Sequence, residues 1–232
     1  MNILAIDTAT AVLAVAVASH DAVRYMEFDA GPAHAETLMP MVDWLIRCSG
    51  MNREDLQMTA CMRGPGSFTG LRIGFATAKG LAAALGIPMV SAPTLDCLAA
   101  PYSLWPGLVV PVIDAKKQRF FTALYQKHKR LTGYLDATAQ ELAAAIHGAP
   151  ELPGASGGAP VLLTGPDAPA AKYALEGLLG KDRVVIDPAY RRSKCRELLE
   201  YSRHWSIVAN NNGGADGPLY IRKSDAELKA GI

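Results

Sequence analysis

The chain has 232 residues, half of them hydrophobic, enough for one large domain or two of about a hundred residues each. Its 23 Lys and Arg against 22 Asp and Glu leave a formal charge of +1. That excludes a global field drawing it to nucleic acid or membrane, so any RNA contact must be a local patch or be made by a partner.

The chain opens on an apolar run, Ile3–Ile6, that reads as a buried strand. It lacks the basic start of a secretory signal, and no apolar stretch reaches the ~20 residues of a membrane span. Four scattered cysteines without a C-x-x-C pair indicate a reducing compartment and no zinc site. The expected location is cytoplasmic. Two further strands follow, Val12–Ala18 and Ala22–Phe28, then a helix from His34 to Cys48 stopped by Gly50. A strand over Thr59–Met62 leads into Gly64-Pro65-Gly66-Ser67-Phe68-Thr69-Gly70 and a helix to Leu85, ended by Gly86 and Pro88. A short strand and helix reach a Pro-containing connector at Ala100–Gly107.

The pattern then recurs. A second buried strand ends at Asp114, as the first ends at Asp7, and each leads through a polar turn into an alternating strand. The expected division is therefore two similar halves, 1–105 and 106–232. The second half continues with helices at Ala139–His147, Ala168–Leu179 and Lys194–Ala209, and strands at Val161–Thr164 and Val184–Ile186. Gly/Pro-rich stretches at 148–160 and 210–218 read as loops. The last helix could pack back on the first half. The class is α/β, mixed sheets flanked by helices.

The glycine segment raises the main chemical question. Gly64, Gly66, Ser67 and Thr69 before a helix N-terminus could cradle a phosphate, with Asp7 and Thr8 contributing from the first strand end. It matches neither G-x-x-x-x-G-K-[ST] nor G-x-G-x-x-G. On spacing alone a structural turn is the favoured reading, with Asp7 bonding its own backbone as an Asx turn. On the helix, Gly70, Gly74 and Ala78 form a small-residue stripe beside Leu71 and Phe75, with Lys79 adjoining. Close approach by the chain's own sheet or by a partner's helix would each repay the interior glycines. His34 has no second His at ligand spacing, and no nucleophile elbow exists, so neither a metal nor a catalytic residue is assigned. The basic runs Lys127–Arg130 and Arg191–Arg196 read as solvated charge or phosphate contacts.

Taken in order, "ILAIDTAT", "HAETLMPMV", "RGPGSFTGLRIG", "PVID" and the late "PLYIR" resemble the TsaB (YeaZ) family, the non-catalytic relatives of TsaD in forming threonylcarbamoyladenosine in tRNA. The likeness is strong to about Thr94, patchy over Leu108–Asp114 and thin afterwards. It implies two actin/hexokinase/Hsp70-like (ASKHA) subdomains and a scaffold that binds TsaD together with the ATPase TsaE, touching tRNA through that complex. No cofactor is then required, the phosphate loop being a vestige, although ATP or ADP could sit at a shared interface. The expected TsaD interface comprises His34, Leu38, Met41 and Leu45 on one helix and Gly70, Leu71, Gly74, Phe75, Ala78 and Lys79 on the other. The same face would form a homodimer without the partner, and Gly74→Leu should break the complex with limited unfolding. TsaD carries a metal-binding His-x-x-x-His where this chain has Ser91–Cys97, without histidine. After Asp114 the family's usual acid is replaced by Arg119. The alternative from another class is an ATP-dependent small-molecule kinase of the same superfold.

Overall fold

The computed structural model describes residues 1–19, 22–149, 158–208 and 217–221. The expected loop over 150–157, and most of the expected turn and tail beyond 208, lie outside these. The chain forms two compact units, the first made of Met1–Cys97 with Ser193–Leu219 and the second built on Leu98–Arg192.

The first unit holds strands β1 (Ile3–Asp7), β2 (Val12–Ala18) and β3 (Val23–Asp29), helix α1 (His34–Cys48), then β4 (Met58–Gly64), α2 (Phe68–Leu85), β5 (Met89–Pro93) and the short α3 (Thr94–Ala99). Its sheet runs β3-β2-β1-β4-β5. β1 is antiparallel to β2 and parallel to β4. Alternation along the strands sends Leu4, Ile6, Leu13 and Val15 to one face, against Leu38, Met41, Val42 and Leu45 of α1 and Phe75 and Ala78 of α2. Ile3, Ala5, Ala14 and Ala16 face the other way, onto Cys195, Leu198 and Leu199 of the last helix. Burial on both faces is why these strands read as unbroken apolar runs.

The second unit holds β6 (Leu108–Asp114), β7 (Arg119–Thr122), β8 (Tyr125–Gln126), β9 (Lys129–Arg130), β10 (Leu135–Thr138), α4 (Ala139–His147), β11 (Val161–Thr164), α5 (Ala168–Leu179) and β12 (Val184–Ile186). Its sheet follows β10-β7-β6-β11-β12, with β8 and β9 extending it from β6. Leu108, Val110, Val112, Leu163, Leu142 and Leu175 form its core. The order of strands and helices repeats that of the first unit, with the β7–β8 and β9–β10 pairs as interrupted counterparts of β2 and β3.

The helix α6 (Cys195–Val208) departs from the expected 1–105 and 106–232 division. Its apolar side lies on the first unit's sheet, so that unit closes only with residues from Ser193 onward, and the earlier crossing falls after Cys97. Chain order suggested one cut, whereas sheet-face burial returns the chain to the first unit at Ser193.

Candidate functional site

The structure brings the end of β1 and the glycine segment together. The Asp7 side chain folds back, its Oδ1 accepting from the Ala9 N–H at 3.0 Å, which is the Asx turn. Asp114 repeats it at the end of β6, accepting from the Lys116 N–H at 2.7 Å. The Ser67 N–H donates to the Ala9 carbonyl at 2.7 Å. The Ser67 hydroxyl caps α2 by accepting from the Gly70 N–H at 3.2 Å. The two elements that could have framed a phosphate thus bond each other. Thr69 is exposed at the helix start, while Thr8 is buried beneath it.

The glycines are required by this contact. A Cβ at Gly66 would lie 2.3 Å from the Ala9 carbonyl oxygen, one at Gly70 2.1 Å from that of Thr8, and one at Gly74 2.1 Å from Thr8 Oγ1. Gly64 has φ +111°, and a Cβ there would lie 2.6 Å from the Leu219 carbonyl oxygen. The small stripe therefore admits the β1–β2 turn of the same chain. This corrects the expectation that Gly70, Gly74 and Ala78 face a partner, and removes Gly74→Leu as a selective test of association.

The same correction applies to the rest of the expected interface. His34, Leu38, Met41, Leu45, Leu71 and Phe75 are buried in the unit's own core. His34 Nε2 lies 2.9 Å from the Thr10 carbonyl, holding α1 to the first turn. Of the expected residues, Lys79 is exposed. The outward faces of the two helices carry Met39 and Trp44 on α1 and Phe68 and Arg72 on α2. Arg72 lies 3.8 Å over the Phe68 ring. Helical spacing of Leu38, Met41, Val42 and Leu45 marks the apolar stripe of α1, and that stripe is the one its own sheet consumes.

Three groups joined to the site were missed by sequence reasoning. The Ser193 hydroxyl donates to Asp7 Oδ2, and its N–H donates to Glu27 Oε2 at 3.1 Å. Thr94 Oγ1 accepts from the Gly64 N–H at 3.2 Å, and the Leu219 N–H donates to the Arg63 carbonyl. Ser193 sits inside a basic run that read as solvated charge. The late "PLYIR" signal marked Leu219's segment without saying where it docks. Asp7 is only 3% exposed. Burial pushes its carboxyl above the ordinary carboxylate range, against the Ser193 and Ala9 hydrogen bonds that favour the anion. Cys61, beneath it, is pushed up to about 12 by burial, so it is an inert core thiol.

In the second unit, Arg119 bonds Asp136 at 2.8 Å and Glu141 at 2.9 Å, so the departure from the family pattern is absorbed locally. Among the described residues no three His, Cys, Asp or Glu side chains come together as metal ligands. No helix there is long and apolar enough to cross a membrane.

Comparison with known proteins places these features. Residues 28–168 match the family model of TsaD, tRNA N6-adenosine threonylcarbamoyltransferase. YeaZ from Pseudomonas aeruginosa superposes with a TM-score of 0.70 at 21% identity, covering 95% of this chain and 99% of that one. A Bacteroides thetaiotaomicron protein of actin-like ATPase fold gives a TM-score of 0.50 at 11% identity over 86% of this chain and 95% of its own. These likenesses establish the actin-like fold of the two units. The tRNA threonylcarbamoyladenosine biosynthesis protein TsaB of Bacillus subtilis is 31% identical over 99% of this chain and 97% of its own length. With that identity running end to end, the chain belongs to the TsaB family.

Proposed function

We propose that this chain is a non-catalytic partner of TsaD in forming threonylcarbamoyladenosine in tRNA, acting with the ATPase TsaE. The observation that carries the reading is the state of the vestigial phosphate loop. In a fold whose relatives bind nucleotide, Asp7 and Ser67 serve the chain's own turn and helix cap. Thr94, in the stretch where TsaD has its metal-binding histidines, supports the Gly64 amide. These residues hold structure in the positions where a catalyst would hold substrate.

The docking surface for TsaD is the outward side of α1 and α2. The two helices cover the same face of the first unit's sheet and leave Met39, Trp44 and Phe68 in solvent, with Arg72 and Lys79 at their side. Exposed aromatic and Met side chains flanked by cations match the composition of interface cores better than that of ordinary surface. The same face would pair two copies of this chain when TsaD is absent. The test is reconstitution of tRNA modification from TsaD, TsaE and the threonylcarbamoyl-adenylate synthase, with and without this chain. Product should depend on its presence; undiminished product without it would reject the reading. A small-molecule kinase would need ATP between Asp7 and the Gly64–Gly70 loop, and no observation favours it over the closed contact described.

A further inference from the structure

The second unit's counterparts of β2 and β3 are broken into shorter strands. Where β2 and β3 of the first unit meet, their counterparts β8 and β9 form a tight hairpin, Tyr125 pairing with Arg130 and Gln126 with Lys129. Lys127, His128, Lys129 and Arg130 occupy four consecutive exposed positions on it. From Leu124 to Gly133 the chain contains no acid, in a molecule whose formal charge is only +1. Lys127 and Lys129 make no ion pair among the described residues, which leaves both ammonium groups available to an anionic partner.

The backbone fixes the place of these cations. Lys127 sits at the hairpin turn with φ +55°, a left-handed conformation that glycine or asparagine adopts at less cost. Lys116 and Lys117 adopt the same region at another turn, so the conformation fixes where Lys127 sits without by itself explaining why it is a lysine. Arg130 lies 4.0 Å over the Tyr134 ring, which orients the guanidinium plane while leaving it solvent-exposed. A short two-stranded ribbon with adjacent cations and one stacked arginine suits a row of phosphates better than a flat protein surface.

We infer that the β8–β9 hairpin is an RNA contact, in which Lys127, Lys129 and Arg130 grip the phosphate backbone of the tRNA. The inference rests on the proposed role in tRNA modification and deepens it. The chain would then meet the substrate with its own cations, as well as through its partner. Phosphate contacts of this kind position the RNA without reading its sequence, so the hairpin contributes affinity and orientation, and base selection lies elsewhere.

The test is fluorescence anisotropy of an unmodified tRNA titrated with the full chain, alone and in complex with TsaD, across a salt series. The triple variant K127Q/K129Q/R130Q is compared with wild type and with R53Q/K181Q/R203Q, which removes the same charge elsewhere. The hairpin variant should bind about tenfold more weakly at moderate salt. Its log Kd against log salt slope should shrink by about two, as expected for the loss of about three phosphate contacts. The control variant should lose much less. Equal losses in the two variants, or unchanged affinity and slope in the hairpin variant, would overturn the inference. So would a hairpin variant that keeps RNA affinity but no longer co-elutes with TsaD, which would make the hairpin a protein contact. Failure of the proposed function itself reads out separately, as tRNA modification that does not need this chain.

Discussion

Thr8 shows how much one buried side chain demands of its neighbours. Its carbonyl and hydroxyl occupy the volumes that Cβ atoms at Gly70 and Gly74 would need, each at 2.1 Å. Gly74→Ala should therefore destabilise the folded chain by about 1–3 kcal/mol, the range of a strained core insertion, in spite of alanine's better helix propensity. Thr8→Ala, by removing Oγ1, should recover much of that loss in the double variant. Gly70 meets main chain, so the same second change cannot rescue Gly70→Ala. Gly80, on the solvent side of the same helix with nothing near its missing Cβ, provides the contrast. Gly80→Ala should stabilise by about 0.5–1 kcal/mol in denaturant titration. Asp7 makes a prediction in pH. Its folded carboxyl titrates above the unfolded value because burial disfavours the anion. Between those two values the folded state holds the extra proton, so this group's contribution to stability falls as pH rises through the window and stays unfavourable above it. Asp7→Asn retains an oxygen for the Ala9 amide and adds a donor toward Ser193. Its melting temperature should exceed wild type at pH 7, the gap closing as pH falls toward the unfolded carboxylate value. A variant less stable at pH 7 would mean that the ionised hydrogen bonds outweigh burial.

At the scale of elements, periodicity located α1 and α5 at their observed bounds because each carries an apolar stripe between local stops. It could not say what lies across a smooth stripe. The Gly70–Gly74–Ala78 face reads identically whether it admits a neighbouring turn or a foreign helix, and the deciding residue, Thr8, is sixty-odd positions away in sequence. The strand β9 was not legible because it is only Lys129–Arg130, inside a run that reads as solvated charge, and it pairs only with β8, itself held by β6 through Tyr125. That α6 packs back on the first half was an open expectation of the sequence, and burial of Leu198 and Leu199 against Ile3 and Ala5 is what shows it. What the buried stripes do fix is the opposite face. Trp44, 54% exposed on α1, lies on the side its own core cannot use. Trp44→Asp should abolish co-elution with TsaD in gel filtration while shifting the melting temperature by less than about 2 °C, because an exposed substitution costs little folding energy. Retained co-elution would move the partner surface off these two helices, and a collapsed melting temperature would show Trp44 to be structural.

At the scale of the molecule, the two units repeat one plan, down to the Asx turn at the end of each first strand, Asp7 with Ala9 and Asp114 with Lys116. They are unequal in how they are completed. The second unit's core closes with α4 and α5 supplied from within it, Leu142, Ile146 and Leu175 packing on β6 and β11. The first needs α6, delivered from near the chain's end, to cover Ile3, Ala5, Ala14 and Ala16. Leu198 and Leu199 are both buried there, and each fully buried leucine is worth about 1.5–3 kcal/mol. Against a whole-domain stability of about 5–15 kcal/mol, losing both with the Ser193–Asp7 bond leaves little margin. A chain ending at Arg192 should therefore lose the first unit selectively. Hydrogen exchange should show amides of β1, β2 and β4 unprotected while those of β6 and β11 stay protected, and the enthalpy of thermal unfolding should fall relative to the full chain. Supplying residues 193–221 as a separate peptide should restore protection in β1 and β2, because the face it covers is otherwise complete. Uniform loss of protection across both units would instead show that they fold as one cooperative body, with α6 stabilising the whole molecule.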